Sequence, residues 1–296
     1  MKFQFNIYQR RFKQPLRTSH GTWQIREGII ISLSDGINTA RGEIAPLPWF
    51  GTETLAEALN FCQQLTETIT PEEIGQIPDR FPCCQFAFES ALTALNRDRA
   101  NPVKDLDYCY LLPAGKEALS SWRKGDRHHN TFKWKIGVYP LEEEIEILKE
   151  LIEILPAQVK LRLDANGGLS LTQAKKLLTL TDTLKAIEFI EQPLATGNLA
   201  QMLNLSQEYS TPLALDESVA SFEQMQSVYQ QGWQGIFVVK ASIMGFPSRL
   251  IKYCQQHSLD VVFSSVFETN IGRNAVLKLA QQYGDRAVGF GVDYFV

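Results

Sequence analysis

Along the first 45 residues apolar and polar positions alternate in short bursts: KFQFNIYQR from Lys2, REGIIISLSD from Arg26 and ARGEIAP from Ala40. Side chains two apart in a strand share a face, so these bursts predict an antiparallel meander. Helical spacing replaces the alternation in TETLAEALNFCQQL, with Thr52 or Thr54 as N-cap, and in FPCCQFAFESALTALNRD. From about Leu106 the rhythm changes again. The short apolar runs YCYLLPAG, FKWKIG, VKLRLDANGG, AIEFIEQP, PLALDES, GIFVVKAS and LDVVFSSV alternate with amphipathic segments such as LEEEIEILKELIEIL, SLTQAKKLLTLTD, SFEQMQSVYQQ and GFPSRLIKYCQQHS. Strand and helix alternating in this way predict parallel βα units closed into a ring. The expected fold class is therefore α/β: an α+β capping domain over residues 1–104 and a (β/α) barrel over 105–284, with an irregular last unit. The final segment, RAVGFGVDYFV, lacks room for another unit, and residues 285–296 are expected to pack back on the capping domain.

Composition narrows the partners. With 296 residues, 44% hydrophobic and 21% charged, the chain is long enough to bury a large core. A formal charge of −4 supplies no basic field for a phosphate backbone, which argues against nucleic acid. No apolar run approaches a membrane span or the core of a signal peptide. The five cysteines, Cys62, Cys83, Cys84, Cys109 and Cys254, form no CxxC pair and are odd in number, as in a reduced cytoplasmic protein.

The candidate chemistry sits at the ends of the barrel strands. Lys135, Asp164, Glu191, Asp216 and Lys240 follow one another at intervals of 29, 27, 25 and 24 residues, once per βα unit. In a parallel barrel those C-terminal ends meet at one rim, where active sites are built. Three crowded carboxylates repel, and a divalent cation removes the repulsion. Oxygen ligands favour Mg²⁺, Mn²⁺ or Ca²⁺ over zinc, and His20, His128, His129 and His257 lie away from these strand ends. Lys133 and Lys135 share a strand face. A base effective at neutral pH needs a lysine shifted by roughly 3 pKa units, and neighbouring positive charge supplies part of that shift. Lys240 enters from across the ring as a second base or a fixed cation. Arg162 points inward with Asp164, as a structural ion pair or a substrate contact. Asn166, followed by Gly167 and Gly168, suits either a ligand loop or a plain turn. Ser264 and Ser265 offer hydroxyls to an anionic group.

These residues together resemble the enolase superfamily in its muconate lactonizing branch. The capping text GEIAPLPWFGTETLAEA, from Gly42, with LDANGG, EFIEQPL, ALDES and FSSVFETNIG, is similar to the o-succinylbenzoate synthases. The resemblance covers nearly the whole chain. It implies a (β/α)8-type barrel in the modified (β/α)7β form, with Asp164, Glu191 and Asp216 holding Mg²⁺ and Mn²⁺ as a substitute. It further implies Lys135 as acid and base, Lys133 tuning charge and touching the substrate carboxylate, and Lys240 as a cation against the substrate ring. Ser264, Ser265 and Gly289 are then carboxylate contacts. The implied reaction is dehydration of 2-succinyl-6-hydroxy-2,4-cyclohexadiene-1-carboxylate to 2-succinylbenzoate in menaquinone or phylloquinone synthesis, so the expected partner is a small carboxylate. Trp49, after Pro48, stands where such proteins often carry glycine. Two further readings stay open. An N-acylamino-acid racemase or dipeptide epimerase would use Lys135 and Lys240 as opposed bases, although VVFSSVF lacks the Asp-x-Asp common in dipeptide epimerases. A barrel with a purely structural cation would gain nothing from the lysines.

Overall fold

The alternating N-terminal text forms three strands, β1 (Lys2–Thr18), β2 (Gly21–Ser34) and β3 (Thr39–Ile44), paired antiparallel in that order. This structure, a computed structural model, describes residues 1–18, 21–96, 105–124 and 129–290. Ile29, Ile31 and Leu33, the apolar set of β2, are fully buried. Helix α1 (Leu55–Gln64) begins at Thr54, whose hydroxyl and the Glu57 carboxylate form a capping box, so the second of the two expected N-caps is the one used. A short helix α2 (Pro71–Gly75) repeats the device with Thr70 and Glu73. Helix α3 (Pro82–Asn96) then lies across the sheet. It comes so close that a Cβ on Gly42 would stand 2.0 Å from the Ala87 carbonyl oxygen, so only glycine serves there.

Each of the seven apolar runs becomes a strand: β4 (Cys109–Leu112), β5 (Thr131–Lys135), β6 (Lys160–Asp164), β7 (Ile187–Glu191), β8 (Leu213–Leu215), β9 (Ile236–Val239) and β10 (Val261–Phe263). They pair in parallel, each with its sequence neighbour. The connecting helices are α4 (Glu117–Lys124), α5 (Leu141–Ile154), α6 (Leu171–Thr181), α7 (Leu199–Glu208), α8 (Phe222–Gln230), α9 (Pro247–His257) and α10 (Asn270–Tyr283). Among the described residues no helix is long and apolar enough to cross a membrane.

The chain end departs from expectation. Val288 bridges Tyr108 beside β4 and Gly289 bridges Ser264 beyond β10, both in parallel. Residues 288–289 therefore take the eighth position of the ring instead of returning to the capping domain. The physical reason is unpaired backbone: β4 and β10 each present an open edge, and even two residues satisfy part of it, as in Cys109 N to Val288 O and Gly289 N to Phe263 O. Residues 291–296 lie outside the described residues. Inside the ring Phe189, Ala214, Ile236, Val238 and Val262 form a separate apolar cluster that floors the rim above it.

Candidate active site

Strand register places the charged residues side by side. Lys135 lies opposite Asp164, and Asp164 opposite Glu191. Glu191 pairs with Ala214, so Asp216, two residues on, continues the row just beyond β8. Lys240 directly follows β9, and Ser264 N donates to Val239 O, which sets Ser264 beside Lys240. Residues separated by 24 to 29 positions in the text thus share one rim.

Lys133 bridges the first two carboxylates, its Nζ 2.8 Å from Asp164 Oδ2 and 2.9 Å from Glu191 Oε1. Burial opposes its charge, but the Asp164 and Glu191 carboxylates outweigh this and hold it well above the ordinary lysine range. Lys240 contacts Asp216 Oδ1 and sits over the Phe50 ring, 5.1 Å from its centroid. Burial pulls Lys240 down to about 8; the Lys133 charge acts the same way, while Glu191 and Asp164 act against it. Lys135 is exposed at the end of β5 and makes no ion pair among the described residues. Of the three amines, it is the one left free to meet a substrate.

The carboxylates carry more negative charge than the amines offset. Burial, and then the Asp164 charge, push both Glu191 and Glu217 above the usual carboxyl range. Glu217 Oε2 is buried with no hydrogen-bond partner. Each of the other three carboxylates is engaged by an ammonium, and among the described residues no three metal-binding side chains converge at coordination distance. The donor set itself suits a hard divalent cation: oxygens from successive strand ends, an orphaned carboxylate oxygen beside them, and no imidazole or thiolate.

Other expected residues are placed differently. Arg162 lies one inward position below Asp164. A bulge between β6 and β7 leaves Glu188 without a strand partner, and its carboxylate meets Arg162 Nε at 2.7 Å and Arg286 Nη1 at 2.5 Å. Arg162 also donates to Ala287 O at 2.8 Å and stacks on Phe189, which makes it part of the floor and of ring closure. Asn166, at φ +43°, donates from its amide to Glu217 Oε1 at 3.0 Å and from its backbone N–H to Asp164 Oδ1 at 3.1 Å. Ser265 Oγ is tied to Glu268 and to Phe267 N within its loop. Ser264 faces Gly289, where a Cβ would stand 2.9 Å from its Oγ.

Several supporting residues were not singled out from the text. Gln192, fully buried at φ +38°, accepts from Asp216 N at 3.0 Å and Ser218 N at 3.2 Å, and so orients the strand end that carries Asp216. Glu144 accepts from Gly137 N, Val138 N and Tyr139 N and pins the loop after Lys135. Gln192 belongs to EFIEQPL and Glu144 to the acidic start of LEEEIEIL, but their partners become visible only once the ring closes.

A family profile described as "Enolase C-terminal domain-like" matches residues 115–289, and one described as "MenC, N-terminal domain" matches residues 4–95. An o-succinylbenzoate synthase of Thermosynechococcus vestitus is 39% identical over 300 residues, covering 99% of this chain and 93% of that protein. The chain belongs to the o-succinylbenzoate synthase family of the enolase superfamily. The crystal structure of o-succinylbenzoate synthase from Thermosynechococcus elongatus, complexed with Mg in the active site, superimposes with a TM-score of 0.93 at 38% identity and covers 100% of this chain and 95% of its own. A dipeptide epimerase from Methylococcus capsulatus, with Mg and the dipeptide L-Arg-D-Lys, reaches 0.81 at 20% identity, covering 99% of this chain and 92% of its own, a likeness of fold alone. Membership in the synthase family matches the synthase-like capping text around Gly42, and the modified barrel form agrees with the ring seen here.

Proposed function

We propose that this chain dehydrates 2-succinyl-6-hydroxy-2,4-cyclohexadiene-1-carboxylate to 2-succinylbenzoate, with Lys135 as the acid and base and Asp164, Glu191 and Asp216 as ligands of Mg²⁺. Its likeness over nearly full length to an o-succinylbenzoate synthase carries this reading, because lysines on two sides of a carboxylate set also suit an epimerase. In the reaction Lys135 Nζ removes the proton alpha to the ring carboxylate, and the C–H electron pair moves into that carboxylate to form an enediolate. The pair then returns to form the new ring double bond as the C–O bond to the hydroxyl breaks. Lys135 gives its proton to the departing oxygen, so one amine serves both steps on one face and water is released. The bound cation supplies positive charge for the two oxygens that gain electron density. Lys133 offers a fixed ammonium beside them, and Lys240 faces the ring from the opposite side. Phe50 and the apolar floor exclude water around Lys240.

The same reading takes Mn²⁺ as a working substitute, since the donors are all oxygen. It places the enzyme in the cytoplasm, where five buried, unpaired cysteines stay reduced, and makes its partner a small carboxylate in menaquinone or phylloquinone synthesis. Residues 1–104 are taken as the cap and 105–289 as the catalytic barrel. Ultraviolet monitoring of the cyclohexadiene with Mg²⁺ tests the reading. Wild type should aromatise it rapidly, and Lys135→Ala and Lys240→Ala should each lose at least about a hundredfold in rate. Absence of turnover by wild type would reject the assignment, and exchange of the alpha proton of N-succinyl amino acids in deuterated water would then identify racemase chemistry.

A further inference from the structure

Glu43 lies on β3, an edge of the capping sheet, and is fully buried. Its carboxylate accepts from Tyr8 Oη at 2.5 Å on its own sheet. It also accepts from Thr269 N at 2.8 Å, Thr269 Oγ1 at 2.5 Å and Gly272 N at 2.9 Å on the barrel. Thr269 is the N-cap of α10 and Gly272 lies in its first turn. A carboxylate of the cap thus satisfies helix N–H groups of the barrel that have no partner within the helix. Two glycines make room: a Cβ on Gly272 would meet Glu43 Oε2 at 3.0 Å, and one on Gly28 would meet Tyr8 Oη at 2.6 Å.

Arg26, also buried, adds a second tie. Its Nε donates to Phe267 O at 3.2 Å, and its Nη1 to Pro46 O and Glu27 O at 2.9 Å each. Phe267 has φ +62°, a conformation costly for a bulky residue, and persists where its surroundings over-determine it. Here the surroundings include Phe12 and Trp23 of the β1–β2 hairpin, packed edge-on against its ring. The loop secured in this way begins at Ser264 on the active-site rim beside Lys240, and ends at Thr269.

We propose that Glu43 is a positioning residue of the active site: by docking on α10 it holds the loop from Ser264 to Thr269, so that the seating of the cap sets the affinity for substrate. The inference rests on the synthase reading and on the rim position of Ser264. Glu43 does not touch the reacting atoms, and its loss acts through the loop. Glu43→Gln turns one acceptor oxygen into an amide N–H group facing donors, while Thr269→Val removes the hydroxyl arm of the contact together with the N-cap hydrogen bond from Ile271 N, and Thr269→Ser keeps both.

Steady-state kinetics with the cyclohexadiene and Mg²⁺, alongside thermal melts, test the proposal. Glu43→Gln and Thr269→Val should raise KM about tenfold with kcat within about threefold of wild type, and Thr269→Ser should restore KM. Wild-type KM in Thr269→Val overturns the proposal, as does a loss of melting temperature and kcat at constant KM in either variant. Should Glu43→Gln fail to fold, Thr269→Val against Thr269→Ser decides. Absence of turnover by wild type would instead defeat the synthase reading itself, which keeps the two failures apart.

Discussion

Glu268 shows how a single residue can hold a proton for the whole fold. It is buried at the cap–barrel junction, where Oε2 accepts from Ser265 Oγ and Val266 N while Oε1 has no partner. Burial, with the Glu43 carboxylate adding to it, pushes this acid up to about 7. The folded chain holds the proton more tightly than the unfolded one. Its stabilisation is therefore complete below the ordinary carboxyl pKa and is lost as pH rises to about 7. Between pH 5 and pH 8 wild type should lose up to about 3 kcal/mol relative to Glu268→Gln, whose amide does not titrate. Unfolding curves of both proteins at the two pH values check this, and parallel losses would sink it. Neighbouring text foretold none of it, because Glu268 in FSSVFETNIG reads as an ordinary helix-start acid until the cap covers it.

At the scale of elements, the work is done where strands end and helices begin. The β5–α5 loop carries the chain away from Lys135, and Glu144 in the first turn of α5 takes three of its N–H groups. Glu144→Ala would leave those donors in a partly buried setting at a cost of about 1–3 kcal/mol each where water does not replace the carboxylate. Lower stability in denaturant and faster proteolysis between β5 and α5 are the expected outcomes, together with a drop in kcat as Lys135 loses its fixed approach. Unchanged cleavage in that loop would show that other contacts hold it. The amphipathic rhythm identified α5, but which of its three leading glutamates would turn inward depended on the strand before it.

For the whole molecule, closure and charge decide. Arg162 ties β6 to the chain end through Ala287 O, and Glu188 joins it to Arg286, so the ring is sealed from within at the gap between β10 and β4. Above that seal, the carboxylates proposed as metal ligands would make metal binding and folding mutually favourable. At a hundred times its dissociation constant a ligand of the folded state adds about 2.7 kcal/mol. Mg²⁺ should therefore raise the melting temperature of wild type by roughly 5 °C, a chelator should reverse the shift and abolish turnover, and Asp164→Asn should respond weakly. Equal responses from wild type and variant would place the bound ion elsewhere.

The strands, the cap and the charged residues at one rim were legible in the text, because period-two and helical patterns are local and the charged positions recur once per unit. The text also revealed that Lys133 and Lys135 share a face, which follows from strand geometry alone. What each group touches depends instead on how distant parts of the chain pack. Lys133 is drawn between Asp164 and Glu191, and Lys240 is buried under Phe50. Arg162 is assigned to the floor by a bulge, and the chain end enters the ring because two strand edges needed partners. Hydrogen bonds and desolvation depend on neighbours remote in sequence. Glu43 and Thr269, 226 residues apart, meet only when the cap closes on the barrel.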